Sequence, residues 1–299
     1  MKSVGIDIGG TKIAGASILE DGSIVQSLSV PSHPDDPDAL VEAVAGIVAE
    51  LADDETSSAV GVAAAAFLNR ERTHVYFSPN INWPNFPLKA RLEEALSRPI
   101  VLENDANAAG WAEYRFGAGQ GSPSFIMLTL GTGVGGSIIE QGRLLTGAFG
   151  TAGELGHLVV EPDGARCGCG NRGCLEQYAS GTALMARARE AMSNPTLTSD
   201  EAVGLFVSGN PALREIFDDV AEVLARALTS LVAITDPEVV VIGGGVAKAG
   251  ALLTESIERK FADHYPAHTQ RPTARIELAV LGSLAGAVGA ADLARRGAL

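Results

Sequence analysis

Short apolar runs separated by glycine turns open the chain. Residues 3–8, 13–19 and 23–30 are apolar or alternating, and they are divided by Gly9-Gly10-Thr11-Lys12 and by Asp21-Gly22. This pattern predicts an antiparallel meander of three strands. The period then changes: Leu40, Val41, Val44, Ile47, Val48 and Leu51 share one face of a helix over 38–51. A strand over 58–64 follows, so the helix reads as a crossover back onto the same sheet. Residues 65–87 are expected to be irregular, with a short apolar piece at Val75–Phe77, because Pro79, Pro84 and Pro87 interrupt them. Asn80, Asn82 and Trp83 are candidates to line a cleft there, with packing as the alternative for Trp83. A helix over 88–96 and a strand over 99–103 lead into Asn104-Asp105, at the head of a helix over 106–116. An acid at that place reads either as a helix cap or as a general base beyond the C-terminal end of a strand.

The opening pattern recurs. Residues 125–130 and 134–140 are strands around Gly131-Thr132-Gly133, echoing the hairpin around Gly9-Gly10. Two copies imply a duplicated fold with a nucleotide held between two lobes. Neither glycine turn opens a helix, so neither has the strand–turn–helix setting of a Walker or dinucleotide loop. Each does offer backbone N–H groups, and the first adds Thr11, the Lys12 cation and nearby Asp7, a set suited to phosphate and hydrated Mg²⁺. A plain hairpin turn is the competing reading. Helices are expected over 181–192, 199–207 and 211–234, and a buried strand over 239–242. Gly243-Gly244-Gly245-Val246 then precedes a helix at about 251–263. Such glycines allow either close approach to adenine and ribose or tight helix–strand packing. A strand over 275–281 and an Ala/Gly-rich helix over 284–295 close the chain.

The three cysteines, Cys167, Cys169 and Cys174, all lie in one glycine-rich stretch after His157. The spacing His-x9-Cys-x-Cys-x4-Cys supplies three thiolates and an imidazole for tetrahedral zinc. Four protein ligands leave no open position, which favours a structural ion. Glu154 and Glu176 bracket this knot, so the loop is read as presenting carboxylates to a substrate. At 299 residues, 46% hydrophobic and 19% charged, the chain can bury the core of two domains or one large one. A net charge of −14 argues against nucleic acid or an anionic membrane as partner. Asp7 breaks the first apolar run, so the start reads as a strand and not a signal peptide. No run is long enough to span a bilayer, and reduced thiols fit a cytoplasmic protein.

Six motifs in order carry a resemblance over essentially the whole chain. They are Asp7-Ile-Gly-Gly-Thr-Lys12, Glu103-Asn-Asp-Ala-Asn-Ala108, Leu130-Gly-Thr-Gly-Val-Gly-Gly136, Glu154-Leu-Gly-His157, Cys167-Gly-Cys-Gly-Asn-Arg-Gly-Cys-Leu-Glu176 and Gly243-Gly-Gly-Val246. Together they resemble the ROK family (repressor, open reading frame, kinase) of the sugar kinase/Hsp70/actin superfamily. Residues 111–120 and 176–181 are most similar to the glucokinases of high-GC Gram-positive bacteria. The resemblance implies an α/β, two-lobed actin-like ATPase fold with duplicated ribonuclease H-like domains and a structural zinc loop. It places a smaller lobe over 1–107, a larger one over 108–283 with the zinc loop at 154–176, and a terminal helix (284–299) packing back on the first.

The implied activity is ATP-dependent phosphorylation of a hexose, glucose at O6 first. The alternatives are mannose, fructose or an N-acetylhexosamine as acceptor, or a non-catalytic sugar sensor. Asp105 is implied to be the base. Asn104, Glu154, His157, Glu176 and Asn80 are implied to bind sugar hydroxyls, His157 also holding zinc with Cys167, Cys169 and Cys174. Asp7 with Mg²⁺, Gly9, Gly10, Thr11 and Lys12, and Gly131, Thr132 and Gly133 would hold the ATP phosphates, with Gly244 and Gly245 beside the nucleoside. Polyphosphate is a less expected donor. Family repressors carry a helix-turn-helix ahead of the first strand, which here begins at residue 3, so no nucleic-acid role is expected. A homo-oligomer, dimer or tetramer, is implied. One departure bears on sugar preference: Ala66 stands where the family usually has glycine, and Asn69 where an acid is common. If Ala66 must take a positive φ, the strain is expected to cost roughly 1 kcal/mol.

Overall fold

A computed structural model describes residues 2–52, 59–78 and 85–297. Pro79, Asn80, Asn82, Trp83 and Pro84 lie outside the described residues. The chain divides into two compact units, one of 1–121, 137–153 and 281–299, the other of 122–136 and 154–280.

The first unit begins with β1 (Ser3–Ile8), β2 (Lys12–Ile18) and β3 (Ile24–Pro31), which form the expected meander. Helix α1 (Pro37–Leu51) starts where Asp36 accepts hydrogen bonds from the Asp38 and Ala39 N–H groups, with Pro37 in the first turn. Its apolar face buries Leu40, Val44, Ile47 and Leu51 against Ile6, Ile8 and Ile13. Each such side chain contributes about 1.5–3 kcal/mol. Strand β4 (Ala59–Ala64) then pairs parallel with β1, as a crossover requires.

Residues 65–78 are more ordered than the prolines suggest. Strands β5 (Phe67–Leu68) and β6 (Val75–Phe77) make a small antiparallel pair. The turn between them is folded by Asn69, whose Oδ1 accepts from the Thr73 and His74 N–H groups at 2.7 and 2.9 Å. Helix α2 (Leu88–Leu96), β7 (Val101–Asn104) and α3 (Asp105–Phe116) follow. β7 joins β4 in parallel, which gives the order β3-β2-β1-β4-β7.

The second sheet repeats that order. Strands β8 (Ser124–Leu130), β9 (Val134–Glu140) and β10 (Arg143–Leu144) stand for the meander. After α4 (Glu176–Ala179), α5 (Gly181–Ala191), α6 (Ser199–Val207) and α7 (Pro211–Thr235) come β11 (Val239–Gly243), α8 (Ala251–His264) and β12 (Arg275–Leu278). The sheet order is β10-β9-β8-β11-β12, with β11 parallel to both β8 and β12. The duplication suggested by two short glycine turns is therefore a duplication of whole sheets.

The last helix, α9 (Ala285–Arg295), packs in the first unit on β1, β4 and α3. The close packing is built from small residues on both sides: in α9 a Cβ on Gly289 would lie 1.8 Å from the Ala108 carbonyl oxygen of α3. A Cβ on Gly5 would lie 1.8 Å from the Ala287 carbonyl oxygen, and one on Gly61 1.9 Å from that of Ala290. The helix backbone rests directly on the strands, and only glycine permits it. Because α3 lies along α9, it belongs to this unit, and the division falls after Gly121, not after 107. Among the described residues no helix is long and apolar enough to cross a membrane.

Candidate active site

Asp105 is the first residue of α3, but it is not the cap. Asn104 is: its Oδ1 accepts from the Asn107 N–H at 3.0 Å, while its Nδ2 donates to the Ala66 carbonyl at 3.3 Å. This division of labour relieves the Asp105 carboxyl of the capping bond to Asn107. The junction is held from below by buried Glu103. One of its oxygens accepts from the Asn104 N–H at 2.8 Å and Asn107 Nδ2 at 3.0 Å, the other from Arg72 Nε at 3.0 Å. Arg72 also donates to the Gly150 carbonyl at 2.7 Å. A buried carboxylate bonded through both oxygens fixes the strand–helix junction rigidly.

Electrostatics single out two acids in this unit. Asp7 and Asp105 keep part of their surface, yet both lie deep enough that lost hydration is the dominant influence. Burial and then the neighbouring Asp105 charge push Asp7 up from 3.8 to about 7, against the pull of Lys12. Burial likewise raises Asp105, opposed by hydrogen bonds from the Ala106 N–H and its own N–H. Carboxylate oxygens are the ligands a hydrated Mg²⁺ prefers, so the neighbouring Asp7 and Asp105 fit such an ion, with the Lys12 ammonium left to face phosphate. Room for Asp7 is made by Gly286 of α9, where a Cβ would sit 2.5 Å from the carboxylate. In the adjoining turn the Gly9 N–H is spent on the Lys12 carbonyl at 3.0 Å, which leaves those of Gly10 and Thr11.

In the second unit, one ligand atom each from His157, Cys167, Cys169 and Cys174 lies within 4.8 Å of the other three. The Cys169–Cys174 sulfurs are 3.6 Å apart, and Cys167 Sγ is 3.8 Å from His157 Nδ1. A tetrahedron with Zn–S bonds of about 2.3 Å has edges of about 3.8 Å, so the set fits zinc. Burial and crowding by the other thiols push Cys174 up to about 12, a repulsion that a divalent cation relieves. Glu154 precedes the short turn Leu155–His157, and Glu176 opens α4.

The second glycine turn is tied to the same loop. Its Gly131 N–H closes on the Gly133 carbonyl at 3.0 Å, one residue tighter than the Gly9-to-Lys12 closure of the first turn. Beside it opens a cavity of about 390 Å³ lined by Gly131, Thr132, Thr182, Met185, Arg189 and Gly245 among others. Leu130, Leu184, Val203 and Val246 add apolar wall and Ser199 a hydroxyl, a surface suited to a planar base and a polar sugar. Gly245 opens a short 3₁₀ turn (Gly245–Ala249) that sequence did not foresee between strand and helix. Gly244 serves packing: at φ 84° its Cβ would lie 2.4 Å from the Leu130 carbonyl oxygen.

Residues 3–297 match the ROK family. This chain belongs to the ROK family. It is 41% identical to the glucokinase of Streptomyces coelicolor, over 98% of this chain and 97% of that protein. Its structure is similar to that of a ROK family glucokinase from Streptomyces griseus solved with glucose and AMPPNP. That match has a TM-score of 0.90 and 40% identity over 99% and 100% of the two chains. A ROK hexokinase from Thermus thermophilus superposes with a TM-score of 0.86 at 37% identity, over 99% of each chain.

Within this ROK chain, Asp7, Gly9, Gly10, Thr11, Lys12, Asn104 and Asp105 lie in the first unit. Gly131, Thr132, Gly133, Glu154, His157, the cysteines, Glu176, Gly244 and Gly245 lie in the second. Asn80 falls outside the described residues. Ala66 is buried and is not among the residues of positive φ, so the strain expected there is absent. Its N–H donates to the Ala64 carbonyl at 2.8 Å in a tight turn that alanine adopts freely. Sequence reasoning missed Arg72, Glu103, Thr182, Met185, Arg189, Ser199 and Val203. Only the position of Glu103, one residue before the Asn104-Asp105 pair, could have drawn attention.

Proposed function

We propose that this ROK chain is an ATP-dependent hexokinase that transfers the γ-phosphoryl group of ATP to O6 of glucose. The observation that carries the reading is Asp105, whose carboxyl stands at a strand–helix junction with the capping duty taken by Asn104. Ionised, it accepts the proton of the attacking hydroxyl; burial keeps its pKa above the ordinary carboxylate range, which improves it as a base. Glu154, His157 and Glu176 accept or donate to the remaining hydroxyls, with Asn80 a further partner. Asn104 can join them with its second Nδ2 hydrogen and with the Oδ1 lone pair its capping bond leaves. Gly10 and Thr11 in one turn, and Thr132 and Gly133 in the other, direct N–H groups at phosphate, and Lys12 balances its charge. Asp7 would hold Mg²⁺, which neutralises charge on the transferring phosphoryl group when bound. The cysteine–histidine knot would hold zinc as a structural brace. Adenosine takes the cavity beside Gly131 and Gly245.

Net charge of −14 and a zinc-type thiol cluster support a cytoplasmic setting without nucleic-acid or membrane partners, and the family resemblance supports a dimer or tetramer. The decisive assay is coupled ADP release over glucose, mannose, fructose and N-acetylated hexosamines, with ATP or polyphosphate as donor. Glucose with ATP is expected to give the highest kcat/KM. A higher value for an acetylated sugar would reassign the acceptor, and sugar-independent ADP release would overturn the kinase reading.

A further inference from the structure

The residues that follow the last cysteine do more than present a carboxylate. Glu176 Oε2 accepts from the Val134 N–H at 3.1 Å, at the exit of the second glycine turn. Its other oxygen lies 3.9 Å from Cys167 Sγ of the knot. A Cβ on Gly133 would fall 2.3 Å from that Oε2, so Glu176 fills the space a side chain would need. Beyond α4, the Gly181 N–H donates to the Gly131 carbonyl at 2.7 Å, and Thr182 Oγ1 donates to the Thr132 carbonyl at 2.7 Å. From the other side, a Cβ on Gly156, next to His157, would meet the Val134 carbonyl oxygen at 2.1 Å. Every residue from Gly131 to Val134 is thus touched by the knot or by the helical segment leaving it.

We infer that the segment Glu176–Thr182, anchored on the knot, positions the Gly131–Val134 turn for the phosphates of the nucleotide. Thr182 is a positioning residue in this scheme. Its hydroxyl fixes the Thr132 carbonyl and so orients the peptide that carries the next N–H, that of Gly133. A donor held in place costs nothing to order when the anion arrives, whereas a loose one does. The knot therefore governs the affinity for nucleoside triphosphate, in addition to holding Glu154, His157 and Glu176. The inference rests on the proposed kinase reading.

The test is calorimetric binding of Mg·AMPPNP and, separately, of glucose to the zinc-loaded full chain. Thr182→Val is expected to weaken Mg·AMPPNP about five- to tenfold, the worth of one net hydrogen bond, with glucose affinity unchanged. Thr182→Ser, which keeps the hydroxyl, should bind as the parent does. Zinc-depleted parent protein that keeps its far-ultraviolet circular dichroism should lose affinity for Mg·AMPPNP as well as for glucose. The inference is overturned if Thr182→Val binds Mg·AMPPNP like the parent, if Ser fails to rescue, or if zinc depletion weakens glucose alone. A parent that binds neither ligand would overturn the kinase reading itself, a result separate from a binding parent with an indifferent variant.

Discussion

The two glycine turns occupy equivalent places in the two duplicated sheets, yet they live in opposite surroundings. The Gly9–Lys12 turn is crowded by charge: burial and the Asp105 carboxylate raise the Asp7 pKa against the pull of Lys12, and Gly286 makes room for Asp7. The Gly131–Val134 turn is crowded by hydrogen bonds: Gly181 and Thr182 donate to its carbonyls, and Glu176 accepts from the Val134 N–H. Duplicated sheets supplied the same backbone twice, and the side chains around each copy then divided the labour. In the kinase reading proposed above, the first turn is assigned protons and cations, and the second is assigned position. Changes near the first should therefore move pH dependence and kcat, and changes near the second should move binding.

The sharpest break is at Asp105. Asp105→Asn keeps the size and removes the base, so kcat should fall by about 10²–10⁴-fold while glucose binding by calorimetry persists. In the parent, activity needs the ionised form, and burial raises that pKa. The acidic limb of the rate profile should accordingly lie above the usual carboxylate range, and rate should drop as pH falls through it. An Asp105→Asn variant with parental turnover would remove the residue as the base.

Next in size is the support under that base. Arg72→Met leaves Glu103 buried without its cation and deletes the 3.0 Å hydrogen bond that Arg72 Nε donates to it. Breaking a buried pair in this way costs about 3–5 kcal/mol, which urea unfolding would register as a lower midpoint. Arg72→Lys should recover only part, since lysine cannot fork between Glu103 and the Gly150 carbonyl. An unchanged midpoint in Arg72→Met would show that the junction stands without the pair.

A smaller effect, with a distinctive sign, belongs to Asp7. Its pKa in the fold, about 7, exceeds the ordinary 3.8, so the fold favours the protonated form. The stabilisation from that proton is fully present below about pH 4 and is lost as pH rises through about 7. Asp7→Asn has no proton to lose. With magnesium chelated, the variant should gain stability over the parent as pH rises from 4 to 8, by on the order of 2–4 kcal/mol. A difference constant with pH would mean that Asp7 is not titrating there.

Much of this contrast was legible in the chain itself, and the illegible parts share a cause. The meanders showed because Gly-Gly-Thr and Asp-Gly turns flank runs of strand period, and α1 because six apolar residues keep a 3.6 period. The cysteine–histidine cluster showed because all three cysteines lie in one short stretch after His157. What stayed hidden depends on neighbours distant in sequence. Asn104 and Asp105 are both competent caps, and only the fold decides which side chain turns inward. Arg72 meets Glu103 thirty-one positions away, and Thr182 meets Thr132 fifty away. The β5–β6 pair is set by one asparagine side chain, a signal too local and too common to read as a hairpin.

The smallest predicted effect is at Ala66, and it tests whether a family preference carries a physical need. Glycine is required where φ is positive or where a Cβ would collide. Ala66 has neither problem: its φ is not positive, and its methyl is buried within the apolar core of the first unit. Ala66→Gly should then relieve nothing. It removes a buried methyl and adds freedom to the unfolded chain, so it should lower stability by about 1 kcal/mol. The Ala66 carbonyl still accepts from Asn104 Nδ2 in the variant, so glucose kcat/KM should change by no more than about twofold. A several-fold rise in kcat/KM, or a shift toward mannose, would show that the backbone at 66 is held in a compromise. The first unit would then set sugar preference through shape as well as charge.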